Sequence, residues 1–335
     1  MPVAAPHARP RDVLVVKPSS LGDVVHTLPA VHALKAHWPD ARIHWVVNDE
    51  WSPLLDGNPD LHAVIPFPRR DLRGLSALSG FARWAAKSRA NAPDGFDLAV
   101  DFQGLLRSVL IAKCCRARHI LGLDDAREGA VWFYHGRAAV RHIHHAVDRY
   151  LALARMTGAD TSDPVCHLPV GTPPVGLSSA DITGAVILHP FSRGAGKSLP
   201  LPMVAETIRQ IAPRRVVLVG AGGPAGQSWP ADTLDLLNAT SLTELLWVLR
   251  HAAAVVSVDS GPMHLAAALP VPLLGLHTWS DPRRVGPWRS DASVWKTGLT
   301  IRVADLPCQP DVWCAGESGW DAGLPAAIAA WVRSL

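Results

Sequence analysis

Short apolar runs alternate with segments of helical period along most of this chain, and that alternation admits few folds. Residues 13–16, 41–47, 62–66, 96–101 and 118–122 read as strands, with helical spacing in 75–90, 105–115 and 146–157. Strands interleaved with helices form a parallel sheet covered on both faces. The pattern stops at 161–177, where Pro164, Pro169, Pro173, Pro174 and two glycines suit a linker. It then restarts, with strands at 185–189, 215–219, 254–258 and 273–276, the last of these closing the series, and helices at 203–211, 242–251 and 263–269. A length of 335 residues fits two such α/β units, 1–165 and 178–335, with a ligand cleft expected between them.

Composition removes several classes of function. Charged residues are 18% of the chain, below the usual ~25%, and the net charge is +3, which argues against phosphate-driven nucleic-acid binding. Five cysteines, two of them adjacent, make no disulfide framework. The first residues contain no apolar signal core, and the apolar stretch 265–276 is interrupted by Pro270 and Pro272 and is too short to span a bilayer. A cytoplasmic protein is expected.

The richest turn follows the first strand. Lys17, Ser19, Ser20, Gly22, Asp23 and His26 lie where a strand breaks into a helix whose apolar face is Val24, Val25, Leu28, Val31 and Leu34. Such turns lie at the carboxyl edge of a parallel sheet, where α/β folds bind ligands. Asp23 is either a plain helix cap or a catalytic carboxylate. In the second half, VSVDSGPMH (256–264) ends a strand at Asp259 and opens a helix at Ser260, Gly261 and Pro262, with His264 close behind. Its free N–H groups suit an anion, although any capped helix offers them.

Other motifs carry less. VVLVGAGGPA (216–225) matches a dinucleotide fingerprint, but Pro224 and the polar run after it spoil the required helix. HPFSRGAGKS (189–198) lacks the first glycine of a phosphate loop, although Arg193 and Lys197 on a glycine-rich loop suit a diphosphate. Cys308 and Cys314 are spaced too widely and are too few for zinc. His142, His144 and His145 read as a helix start, and Arg69, Arg70 and Arg73 as a basic loop.

Taken together, KPSSLGDVVHTLP (17–29), DFQGLLRS (101–108), Ala126–Arg127, HAVDR (145–149) and VDSGPMHLAAA (258–268) resemble the lipopolysaccharide heptosyltransferases over most of the chain. The resemblance implies a GT-B architecture: two Rossmann-like domains, acceptor in the first and nucleotide sugar in the second. It implies an inverting, metal-independent transfer from ADP-heptose to an acceptor hydroxyl, with Kdo of the lipopolysaccharide inner core as the acceptor. Asp23 is then the catalytic base and Lys197 the second catalytic group, at the leaving diphosphate. Ser192, Lys197, Asp259, Ser260, Gly261 and His264 would bind the donor. Lys17, Ser20, Arg69, Arg70, Arg73 and Arg127 would hold an anionic, lipid-linked acceptor at the inner face of the membrane. No cofactor and no metal are expected. The family's ribose-binding Glu has no counterpart after Pro224, where Gly226 and Gln227 stand. That leaves open a protein acceptor or another sugar nucleotide, and outside the class an NAD-dependent oxidoreductase or a non-catalytic nucleotide-binding module.

Overall fold

The computed structural model describes residues 9–69, 77–194, 196–224, 226–230 and 232–335. The chain divides into two compact units, Met1–Pro169 and Val170–Leu335.

In the first unit the elements run β1 (Asp12–Val16), α1 (Leu21–His37), β2 (Arg42–Asn48), β3 (Ala63–Phe67), α2 (Ala77–Arg89), β4 (Leu98–Asp101), α3 (Leu106–Cys114), β5 (His119–Leu123), β6 (Gly136–Ala138) and α4 (Ala146–Arg155). The sheet order is β3-β2-β1-β4-β5-β6, parallel throughout. Every residue of β1 and β4 is buried, as expected of strands covered on both faces. Trp45 and Phe96 fill the sheet faces with no measurable exposure.

The second unit runs α5 (Ser179–Ile182), β7 (Val186–His189), α6 (Leu201–Ile211), β8 (Val216–Gly220), β9 (Thr233–Leu237), α7 (Leu242–His251), β10 (Ala254–Val258), α8 (Gly261–Ala267), β11 (Leu273–Leu276), α9 (Pro282–Val285), β12 (Ser293–Lys296), β13 (Leu299–Arg302), α10 (Asp311–Cys314) and α11 (Leu324–Arg333). Its sheet order is β13-β12-β11-β10-β7-β8-β9, with only β13 antiparallel. Counted within the unit, β7 to β12 repeat the 3-2-1-4-5-6 order of the first sheet. In both units the winding direction therefore reverses between the first and fourth strands, and loops leaving those two strands diverge around a crevice.

Residues 273–276 do not end the series: β12 and β13 follow. β12 is a four-residue strand, and it turns at Thr297 and Gly298, both with positive φ, into the solvent-edged β13. Neither strand has an apolar run long enough to stand out. β9 (TLDLL) was also hidden, because Asp235 interrupts it.

Among the described residues between β8 and β9 the Gly220 loop carries no helix, and the glycine serves packing. Its φ is +112°, and a Cβ there would lie 2.3 Å from the His189 ring.

His44, His189 and His277 are buried, and burial pushes each imidazole down to about 4. An unfolded chain takes up protons on these rings below its ordinary value of about 6.5, while the folded protein does not until about pH 4, so stability falls as pH drops through that window. We expect the unfolding free energy from urea titration, and with it the midpoint, to decline from pH 6.5 downwards, the free energy by up to roughly 3 kcal/mol per histidine at full protonation. A midpoint flat until the carboxylates titrate would contradict this assignment.

Candidate active site

The crevice of the first unit is built from the turn after β1 and the loop after β4. Asp23 stands at the third position of α1, and its Oδ2 accepts the Ser20 backbone N–H (3.0 Å) and the Ser20 hydroxyl (2.7 Å). Its Oδ1 accepts the Tyr150 hydroxyl (3.1 Å) and lies 3.4 Å from Lys17 Nζ. The side chain remains 37% exposed. Partial burial opposes ionisation, but the Lys17 charge, the Ser20 hydrogen bonds and His26 outweigh it and hold this carboxyl far below the usual range. Asp23 is a carboxylate at any working pH, fixed in orientation and open to solvent on one side.

Lys17 is corrected by the structure. Expected to hold the acceptor, it is 3% exposed, and its ammonium donates to the Phe102 carbonyl (3.0 Å) and the Tyr150 hydroxyl (2.7 Å) beneath Asp23. With Asp23 as its third partner, the ammonium has no direction left for a ligand. The lysine instead fixes the charge and position of Asp23. Tyr150, five strands away in sequence, carried no motif signal of its own.

The DFQGLLRS block is knotted around the buried Asp101 at the end of β4. Asp101 accepts the Gln103 and Gly104 backbone N–H groups (2.9 and 3.1 Å) and the hydroxyls of Ser108 and Tyr134 (both 2.7 Å). Gln103 then accepts the Ser19 N–H (3.3 Å), tying this loop to the turn that carries Asp23. Arg149 of the HAVDR block pairs with Asp125 (2.6 Å). These blocks shape the crevice rather than line it.

Of the other expected acceptor groups, Ser20 is exposed at the head of α1, and Arg69 and Arg127 are exposed. Arg70 and Arg73 lie outside the described residues. A cavity of about 590 Å³ beside β3 is lined by Arg83 and Lys87, one turn apart on α2, with Trp84 and Asp49. No motif singled these residues out.

In the second unit the loop after β7 and the end of β10 meet in the same way. Lys197 Nζ donates to Asp259 Oδ2 at 2.5 Å and sits 4.6 Å from the centre of the Trp279 ring. Asp259 is buried, which alone would raise its pKa; His277, His264 and Lys197 together bring it below the ordinary value. The loop is closed by Ser192, whose N–H donates to Ser198 Oγ (3.0 Å) and whose Oγ accepts the Gly194 N–H (3.4 Å). Ser260 caps α8, with Gly261 as its first residue and His264 buried in its first turn. The first N–H groups of any helix have no partner within it. The Lys197 ammonium and the unpartnered N–H groups at the head of α8 thus lie on either side of Asp259 in the chain's second switch point, with His264 and His277 near enough to act on its charge, an arrangement that offers N–H donors to an anion. His277 and Trp279, which is 47% exposed, come from the stretch after β11 that motif reading left unassigned.

The model of glycosyltransferase family 9 (heptosyltransferase) matches residues 89–176 and 225–309. Lipopolysaccharide heptosyltransferase 1 of Pseudomonas aeruginosa is 32% identical over 318 residues, covering 89% of this chain and 85% of the relative. The chain belongs to glycosyltransferase family 9. The Escherichia coli K12 lipopolysaccharide heptosyltransferase 1 is 29% identical, covering 82% of this chain and 90% of the relative. Among solved structures, E. coli heptosyltransferase WaaC with ADP-2-deoxy-2-fluoro heptose superposes with a TM-score of 0.70 at 25% identity, covering 85% of this chain and 92% of that one. The family 9 chain is therefore a glycosyltransferase of GT-B architecture, as its sequence blocks implied, and the fingerprint at 216–225 does not make it a dehydrogenase.

Proposed function

We propose that this family 9 enzyme transfers heptose from ADP-heptose to the Kdo sugar of the lipopolysaccharide inner core, with inversion at the anomeric carbon. The observation that carries the reading is Asp23: an ionised, half-exposed carboxylate locked by Ser20, Tyr150 and Lys17 at the switch point of the first unit. Relatives named as lipopolysaccharide heptosyltransferases supply the sugar and the acceptor class, and the analogue-bound relative supplies the nucleotide.

In this mechanism an acceptor hydroxyl oxygen attacks C1 of the heptose and its proton passes to Asp23. The bond from C1 to the diphosphate oxygen breaks, and ADP leaves with the electron pair. A single displacement of this kind inverts the anomeric centre. Charge growing on the leaving diphosphate is met by Lys197, which keeps two N–H donors beyond the one given to Asp259, and by the N–H groups at Ser260 and Gly261, with His264 beside them. The step is assigned to these side chains and needs no metal. Ser192 shapes the donor loop. Ser20, Arg69 and Arg127, with Arg83 and Lys87 at the cavity, are assigned to an anionic acceptor. Such a lipid-anchored acceptor brings the enzyme to the membrane surface peripherally; none of the described helices is long and apolar enough to cross one.

Calorimetric titration with ADP-heptose, ADP, UDP, GDP and NADH tests the donor. Selective binding of ADP-heptose and ADP supports the reading. A preference for UDP or GDP retains the transferase and discards ADP-heptose, and binding of NADH alone overturns the proposal.

A further inference from the structure

Away from Asp23, the first unit gathers His32, Asp60 and His167, one from α1, one from the turn before β3 and one from the segment after α4. The Asp60 carboxylate oxygens lie 3.1 and 3.2 Å from His32 Nδ1, and one of them lies 3.9 Å from His167 Nε2. One ligand atom from each residue falls within 4.8 Å of the others, and the two rings meet edge to face at 5.0 Å. We propose that these three side chains bind a divalent transition metal of the zinc class, which cross-links the tail of the first unit to α1.

Three observations support this. The donor set, two imidazoles and a carboxylate, is one that zinc uses, with water completing a tetrahedron. Bond lengths of about 2.0–2.1 Å place tetrahedral ligand atoms about 3.3 Å apart, so the His32–Asp60 pair already has the required spacing, while His167 must close by about half an ångström on Asp60 and by up to about 1.5 Å on His32, a rotation of one half-exposed ring. Asp60 is also a buried carboxylate whose partners among the described residues are imidazoles alone, with no arginine or lysine to balance it. A buried charge calls for pairing or a metal.

The surroundings hold the ligands in place. Asn58 Oδ1 accepts the Asp60 backbone N–H (2.9 Å), and Asn58 Nδ2 donates to the His167 carbonyl (3.0 Å), so one buried amide orients two of the three ligands. The same tail follows α4, where a Cβ on Gly158 would lie 3.2 Å from His37 of α1. His32 lies nine residues beyond Asp23 on α1, about 13.5 Å along the helix at 1.5 Å per residue, so the metal would not touch the catalytic carboxylate. Its role is structural, and it stands whether or not the donor reading above holds. It also departs from the absence of any metal expected from sequence.

The test uses the full chain stripped with chelator, then titrated with Zn²⁺ alone by calorimetry and with Co²⁺ by visible absorption. The expected result is one tight site, an intense four-coordinate Co²⁺ spectrum, and a melting temperature raised by a few degrees at saturating Zn²⁺. Asp60→Asn and His167→Gln should each weaken Zn²⁺ binding at least tenfold and abolish the stabilisation. Both substitutions preserve size, and a far-UV spectrum matching wild type confirms folding. Binding that survives both substitutions unchanged, as at cysteine sites, or no Zn²⁺ binding up to millimolar concentration, would overturn the proposal. A weak six-coordinate Co²⁺ spectrum would overturn the tetrahedral, zinc-class assignment.

Discussion

Asp23→Asn should lower kcat about a hundred- to ten-thousand-fold while leaving ADP-heptose affinity within about twofold, the pattern of a lost general base. The amide keeps one oxygen to accept from Ser20, so the head of α1 should keep its geometry. What it loses is the negative charge beside Lys17. Lys17 is buried and burial already depresses its pKa, so removing its counter-charge costs stability as well as rate. Because Asp23 is partly exposed, that cost should be modest, about 1–2 kcal/mol in a denaturant titration. An Asp23→Asn enzyme with wild-type kcat would show that the carboxylate is only a helix cap. A variant that has lost donor affinity as well would place Asp23 on the donor instead.

Lys197→Ala should have the second largest effect and divide differently between the parameters. The ammonium is assigned to the diphosphate both in the bound donor and as it leaves, so ADP-heptose affinity and kcat should both fall, kcat by about a hundred- to a thousandfold. Truncation also leaves Asp259 buried without its nearest cation, so its carboxyl should move up from its depressed value. Lys197→Arg should recover part of the affinity if charge is what matters. Equal binding of ADP by wild type and Lys197→Ala would remove the lysine from the donor site.

Much of this was legible in the sequence, for identifiable reasons. The units' alternation showed because buried parallel strands such as 13–16 and 254–258 are continuous apolar runs. Asp23 and Asp259 showed because each ends a strand-to-helix turn with small or cap-forming neighbours. Lys17 was misassigned because a lysine in a polar turn reads as exposed, and only Phe102 and Tyr150, remote in sequence, turn it inward. Tyr134 and Tyr150 act through single hydroxyls that leave no pattern. β12, β13, His277 and Trp279 were missed because their segments are short and mixed in polarity. His32, Asp60 and His167 share no local spacing and come together only when the tail returns over α1.

The mass of the acceptor decides whether heptose reaches Kdo. Wild-type enzyme and Asp23→Asn are incubated with ADP-heptose and a lipid A acceptor bearing Kdo, and the acceptor is read by mass spectrometry while released ADP is quantified. Heptose transfer to Kdo with Asp23 as base requires one added heptose per acceptor with equimolar ADP, and slow or undetectable addition by the variant. An acceptor that gains no heptose from a wild-type enzyme that binds ADP-heptose would contradict it.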